Sequence, residues 1–169
     1  MKNNYITLAK KAANTQIKEL RKINRVLDKS FIKAVDSILN CKGKVVCAGI
    51  GKSGLIGRKI SATFSSVGIP SFFCDPAQAL HGDMGQIEKK DLLIIFSYSG
   101  NTSELSNMLK YANRFGIKII GIASKADSLL MKASDIKLLL PKVKESDITG
   151  MVPTSSTSIT LLLGDCLAT

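Results

Sequence analysis

The stretch Val45-Val46-Cys47-Ala48-Gly49-Ile50-Gly51-Lys52-Ser53-Gly54 decides the fold. Its first four residues are apolar on consecutive positions, as expected of a strand covered on both faces, and they run into a glycine-rich turn. From Gly54 to Val67 the apolar residues fall at helical spacing. Strand, tight loop and helix in that order are the opening unit of a parallel α/β sheet.

Outward from this unit the alternation continues. Further strand-like runs are Ser71-Phe72-Phe73-Cys74, Leu92-Leu93-Ile94-Ile95-Phe96, Ile117 to Ile122 and Ile136 to Leu140. Helical patterns occupy Asn101 to Phe115, closed by Gly116, then Ser128 to Ala133, and a last stretch from Thr154 to the chain end. Five strands separated by helices predict a three-layer α/β sandwich, a five-stranded parallel sheet flanked by helices. In such a sheet ligands are expected at the carboxyl ends of the strands.

Upstream, residues 1–43 read as a helical leader packing on a domain of residues 44–169. Ile6, Ala9, Ala13, Ile17, Leu20, Asn24 and Leu27 recur at helical spacing among lysines and arginines, and a second short helix is expected from Ser30 as N-cap through Leu39. The formal net charge of +11 is concentrated here: residues 1–44 carry 11 Lys/Arg against 3 Asp/Glu, and the remainder 13 against 10. Because the excess rides on the leader with almost no aromatic residues interleaved, it reads as the solvated face of a docking or oligomerising helix. No nucleic-acid partner is expected.

At 169 residues and 45% hydrophobic content, one folded domain is expected rather than disorder. No apolar run reaches the ~18 residues of a membrane span, and the first residues lack a signal-peptide core, so no membrane partner and a cytoplasmic location are expected. Cys41, Cys47, Cys74 and Cys166 show no metal-site or redox spacing and read as free, structural thiols.

Three loops carry the candidate chemistry. Gly49-Ile50-Gly51-Lys52-Ser53-Gly54 matches G-x-G-x-x-G, with Asp75 standing 21 residues after Gly54, so a dinucleotide site on a Rossmann fold is one reading. A Walker A loop is excluded, because the glycine it needs five positions before Gly51 is Val46. The second loop, Ser97-Tyr98-Ser99-Gly100-Asn101-Thr102-Ser103-Glu104, offers four short hydroxyls beside a helix start, a compact oxyanion site that a dinucleotide fold does not need. The third, Pro153-Thr154-Ser155-Ser156-Thr157-Ser158, opens the final helix and suits capping or ligand binding equally.

Taken in order, GIGKSGLIGRKISATFSSVGIPSFF, ALHGDMGQI, SYSGNTSE and PTSSTSITLLLGD resemble the sugar isomerase (SIS) domain family, and within it the arabinose-5-phosphate isomerases. The resemblance implies a flavodoxin-like sheet and a homodimer or homotetramer. It also implies interconversion of D-ribulose 5-phosphate and D-arabinose 5-phosphate through an enediolate, a step toward the Kdo sugar of lipopolysaccharide, with no cofactor or metal. Such chemistry needs a base, an electrophile and a phosphate anchor.

By resemblance the catalytic candidates are Lys52, Glu104, Glu145 and His81, with Glu104 the first choice of base. The substrate-binding candidates are Gly51, Ser53, Ser97, Ser99, Thr102, Ser155, Ser156 and Thr157. Three positions depart from the family pattern: Asp75 where members carry a metal-associated His, Tyr98 where they usually carry Asn, and Asn101 where they usually carry Glu. The isomerases also continue past the last helix to a His-Pro-Gly-Gly segment and paired regulatory domains, so this chain is expected to be part of a longer polypeptide. A SIS module that binds a phosphosugar without turning it over is the competing reading. A sugar-responsive regulator is disfavoured by the lack of a helix-turn-helix pattern.

Overall fold

A computed structural model describes residues 2–169. Met1, the first residue of the expected leader, lies outside them.

The sheet is built from β1 (Val45–Gly49), β2 (Ser71–Cys74), β3 (Leu92–Phe96), β4 (Lys118–Ala123) and β5 (Ile136–Leu139), all parallel, in the order β2-β1-β3-β4-β5. Val45 stands opposite both Ser71 and Leu92, Leu92 opposite Lys118, and Ile120 opposite Ile136. This is the flavodoxin-like order, with its switch point between β1 and β3; a Rossmann sheet is ordered differently.

The continuous apolar runs are explained by burial on both faces. Val45, Cys47, Leu92, Ile94, Phe96, Ile120, Ile122, Ile136 and Leu138 point into one core. There they meet α2 (Lys29–Leu39), α3 (Gly51–Ser66) and α7 (Ser155–Leu167). Val46, Ala48, Leu93, Ile95, Ile119 and Ala123 point into the other, against α4 (Pro76–Ala79), α5 (Leu105–Phe115) and α6 (Leu129–Ala133). The residues of β1 and β3 are thus withdrawn from water whichever way their side chains point, at about 25 cal/mol per Å² of apolar area, whereas the edge strand β5 alternates buried and exposed positions.

The leader differs from its expected form. Helix α1 (Lys2–Leu20) ends in a 3-10 turn, Arg21–Arg25, and α2 is capped by Asp28, not Ser30. The Asp28 carboxylate accepts from the Ser30 and Phe31 N–H groups at 2.7 and 3.3 Å, which a serine two positions later cannot do. Of the expected apolar stripe of α1, Ile6 and Ile17 are exposed, while Leu20 packs against the core. Where α1 meets α7 it presents Gln16, and Glu19 is buried close by. Polar groups help dock this helix: Gln16 accepts from Ser158 on α7, and Glu19 accepts the Lys144 N–H of the loop before α7.

Helix α5 begins at Leu105, four residues later than the pattern suggests, because Ser97 to Glu104 form an irregular loop. The short α4 and the 3-10 turn Asp83–Gln86 carry too few residues for a periodic signal.

Candidate functional site

The carboxyl ends of β1 and β3 meet at the switch point, and glycine makes their approach possible. A Cβ on Gly49 would lie 2.9 Å from the Phe96 carbonyl oxygen, and one on Gly54 only 2.7 Å from the Gly49 oxygen. Helix α3 therefore starts in contact with both strands. Its N-cap residue, Ile50, supplies no side-chain cap, so the first N–H groups remain for an anion. Lys52 and Ser53 project from this first turn into a cavity of about 360 Å³.

The opposite wall is the loop after β3. Ser97 is buried; its Oγ shares a 2.9 Å hydrogen bond with Thr102 Oγ1 and accepts the Gly100 N–H at 3.1 Å. Gly100 has φ +68°, and a Cβ there would fall 2.2 Å from Ser128 Oγ, so no other residue fits. Ser99 Oγ accepts from the Asn101 N–H at 3.3 Å. Asn101 in turn accepts from the Leu129 N–H at 2.9 Å, tying the loop to α6. Ser97, Ser99 and Thr102 all line the cavity, and so does Tyr98. The Tyr98 hydroxyl, however, is engaged away from it, between Pro141 and Val143.

The third wall comes from the chain after β5 and the start of α7. Glu145, Ser156 and Thr157 line the cavity there. Glu145 Oε2 accepts from Thr154 N–H at 2.7 Å, Thr154 Oγ1 at 2.9 Å and Ser156 N–H at 3.3 Å. Partial burial of the carboxyl favours its neutral form, but the donors from Ser156 and Thr154 outweigh that and hold its pKa below the ordinary glutamate value. Ser155 is fully buried outside the cavity lining, with its Oγ unpartnered within the protein.

Other candidates are not brought together with these. Glu104 is exposed and lies outside the cavity lining; its own N–H and the Ser103 hydroxyl hold its pKa below the ordinary value. His81 is exposed after α4, its N–H bonded to the Gln78 carbonyl, also outside the cavity lining. Gly51, at φ +57°, shapes the turn without lining the cavity. Asp75 caps α4 by accepting from Ala77 N–H at 3.0 Å and lies 3.7 Å from Arg58. Among the described residues no group of three or more His, Cys, Asp or Glu is placed to hold a metal ion.

Sequence reasoning did not find the apolar lining from Ile50, Ile56 and Pro153, or the role of Glu19 and Gln16 behind the Glu145 loop. The one signal for Glu19 was its being the only acidic residue of α1. Cys47 and Cys74 are buried, and all four cysteines are free. Among the described residues, no helix is long and apolar enough to cross a membrane.

Chemically, the cavity places one ammonium, one ionised carboxylate and a cluster of hydroxyls around a space suited to a small anionic molecule. A family model described as SIS domain matches residues 38–169. The chain is 42% identical over 164 residues to the arabinose 5-phosphate isomerase KpsF of Escherichia coli O6:H1, covering 96% of this chain and 50% of that protein. It is 41% identical over 149 residues to the arabinose 5-phosphate isomerase KdsD of E. coli K12, covering 88% and 45%. The solved structure of an E. coli CFT073 protein in complex with arabinose 5-phosphate superposes with a TM-score of 0.93 at 34% identity, covering 98% of this chain and 88% of that one. The chain spans about half the length of the curated relatives it matches.

Proposed function

The chain belongs to the SIS domain family, and we propose that it forms the sugar-phosphate site of an aldose–ketose isomerase interconverting D-ribulose 5-phosphate and D-arabinose 5-phosphate. One observation carries this: the hydroxyls of Ser97, Ser99 and Thr102, the uncapped start of α3 and Lys52 converge on one cavity whose far wall holds a carboxylate, Glu145. The relatives named for this reaction, and the arabinose 5-phosphate complex of a structural neighbour, support the choice of sugar.

In this reading the phosphate sits against the hydroxyl loop and the α3 N-terminus, where short neutral donors and oriented N–H groups match a dianion. Anchoring one end of a pentose fixes the carbonyl end relative to the far wall, which turns proton transfer into a positioned, intramolecular step. Glu145, ionised at neutral pH, accepts the proton alpha to the carbonyl and returns it to the neighbouring carbon, while the hydroxyl proton passes from the oxygen that becomes the new carbonyl to the former carbonyl oxygen. Lys52 balances the negative charge that develops on the enediolate oxygens. Glu104 and His81, outside this cavity, take no part in the proton transfer in this reading. We place the subunit contact on the solvent-facing apolar stripe of α1, giving a homodimer or homotetramer that light scattering would detect.

The test is incubation of the purified chain with D-ribulose 5-phosphate in deuterated water, with NMR following the aldose signal and deuterium at the exchanging carbon. The expected result is exchange and isomerisation that Glu145→Gln abolishes and Glu104→Gln leaves largely in place. Tight calorimetric binding with no exchange selects the binding-module reading instead, and absence of both overturns the assignment.

A further inference from the structure

Between β5 and α7 the chain runs from Leu140 to Thr154 without regular secondary structure. A connection of that length costs much conformational entropy to order, and its backbone groups need partners from elsewhere. They find them in side chains from two different parts of the molecule. On one flank, the Tyr98 hydroxyl donates to the Pro141 carbonyl at 3.2 Å and accepts the Val143 N–H at 3.0 Å. On the other flank, from α1, Glu19 accepts the Lys144 N–H at 3.1 Å and pairs with Lys22, whose ammonium donates to the Lys142 carbonyl at 3.2 Å. Gln16 donates to Ser146 Oγ at 3.1 Å and accepts from Ser158 on α7 at 3.0 Å.

Four successive residues, Pro141 to Lys144, are therefore each held by a side chain from outside the loop, and the next residue is Glu145. The bracing then changes character. Beyond Ser146, the backbone of Thr149 and Met151 is tied only to Asp147 and Thr149 within the same loop, and Ile148 and Met151 are almost fully exposed. Glu19 itself is 5% exposed, a costly place for a carboxylate unless its partners are fixed. Hydrogen bonding from Lys22 is the main influence lowering its pKa, against the opposing effect of burial.

We propose that Tyr98 and Glu19 are positioning residues that clamp the chain on either side and so set the place of the Glu145 carboxylate at the cavity. The clamp makes α1 part of the working site, and it gives a use to the tyrosine in the hydroxyl loop that phosphate binding does not require. Its kinetic consequence rests on the isomerase reading; its geometric content does not.

Tyr98→Phe and Glu19→Gln, each in the full chain, remove one arm of the clamp with little change of volume. The charged groups lining the cavities on either side of Glu145 are Lys52 on α3, Lys11 on α1, and Lys144 and Asp147 on its own loop, all unaltered in both variants. Carbon-detected NMR titration should show the Glu145 carboxyl pKa moving up in both, as its donors on Thr154 and Ser156 lose register. With D-ribulose 5-phosphate, kcat should fall about tenfold or more while KM changes by less than about threefold. An unchanged Glu145 titration, or a shifted titration with unchanged kcat, overturns the proposal. A wild-type chain that does not isomerise refutes the functional reading, and the titration alone then decides the clamp. Should Glu19→Gln fail to fold, Tyr98→Phe decides.

Discussion

Glu145 caps the helix that Thr154 begins. Its Oε2 accepts both the N–H and the Oγ1 of Thr154, at 2.7 and 2.9 Å, and also reaches the Ser156 N–H, while Thr154 makes no side-chain cap of its own. A carboxylate nine residues upstream thus does what an N-cap side chain ordinarily does, and its charge complements the helix dipole.

The first prediction concerns pH. Glu145 has a folded pKa below its unfolded value, so its contribution is complete above the unfolded pKa and is lost as pH falls through the folded one. At pH 7 the wild type should have a higher urea midpoint than Glu145→Gln. The gap should close as the pH falls below the ordinary glutamate pKa and through the lower folded one. A gap that stays constant with pH would show that the charge is not what holds the cap.

Ser97→Ala removes the acceptor of the Gly100 N–H and the partner of the Thr102 hydroxyl. Leaving buried groups unpaired should cost about 1–3 kcal/mol of stability. Phosphate or pentose 5-phosphate binding, read by calorimetry, should weaken about tenfold or more, since a charge-assisted hydrogen bond is worth about 1.5–3 kcal/mol. Unaltered affinity would remove Ser97 from the anchor.

Gly54→Ala places a methyl group 2.7 Å from the Gly49 carbonyl oxygen, a backbone atom that cannot swing aside. The expected loss of stability is about 1–3 kcal/mol, seen as a lower melting temperature, with α3 pushed away from the β1 end. Gly68→Ala is not an equivalent control, because that glycine has φ +87°. Gly85→Ala, which meets nothing within 4 Å, should be close to neutral.

Thiol labelling separates the cysteines. Burial pushes the Cys47 thiol up to about 12 and the Cys74 thiol up to about 11, whereas Cys41 and Cys166 are partly exposed. Iodoacetamide at neutral pH should modify Cys41 and Cys166 first, read by peptide mass spectrometry, and spare Cys47 and Cys74 until the fold opens. Early modification of Cys47 would contradict the packing of β1.

Much of this was legible in the chain. The strand runs at Val45 and Leu92 declare themselves because both faces of the sheet are buried there, which turns each central strand into a continuous apolar run. The hydroxyl loop was legible because four short polar side chains around one glycine have no packing use. The α1 stripe was legible only as an apolar face, since periodicity does not report which neighbour covers it.

Sequence alone determined the layers, the five strands, and the two loops suited to an anion, because these follow from local periodicity and from glycine and hydroxyl spacing. Only the tertiary structure decided which carboxylate meets Lys52 at the cavity. Glu104 sits within the hydroxyl loop itself and yet remains exposed, while Glu145, 41 residues further along the chain, lines the cavity. What brings it there is the meeting of Tyr98, Glu19 and the start of α7 around one irregular segment. Those contacts span up to 125 positions, and no local pattern of residues records them.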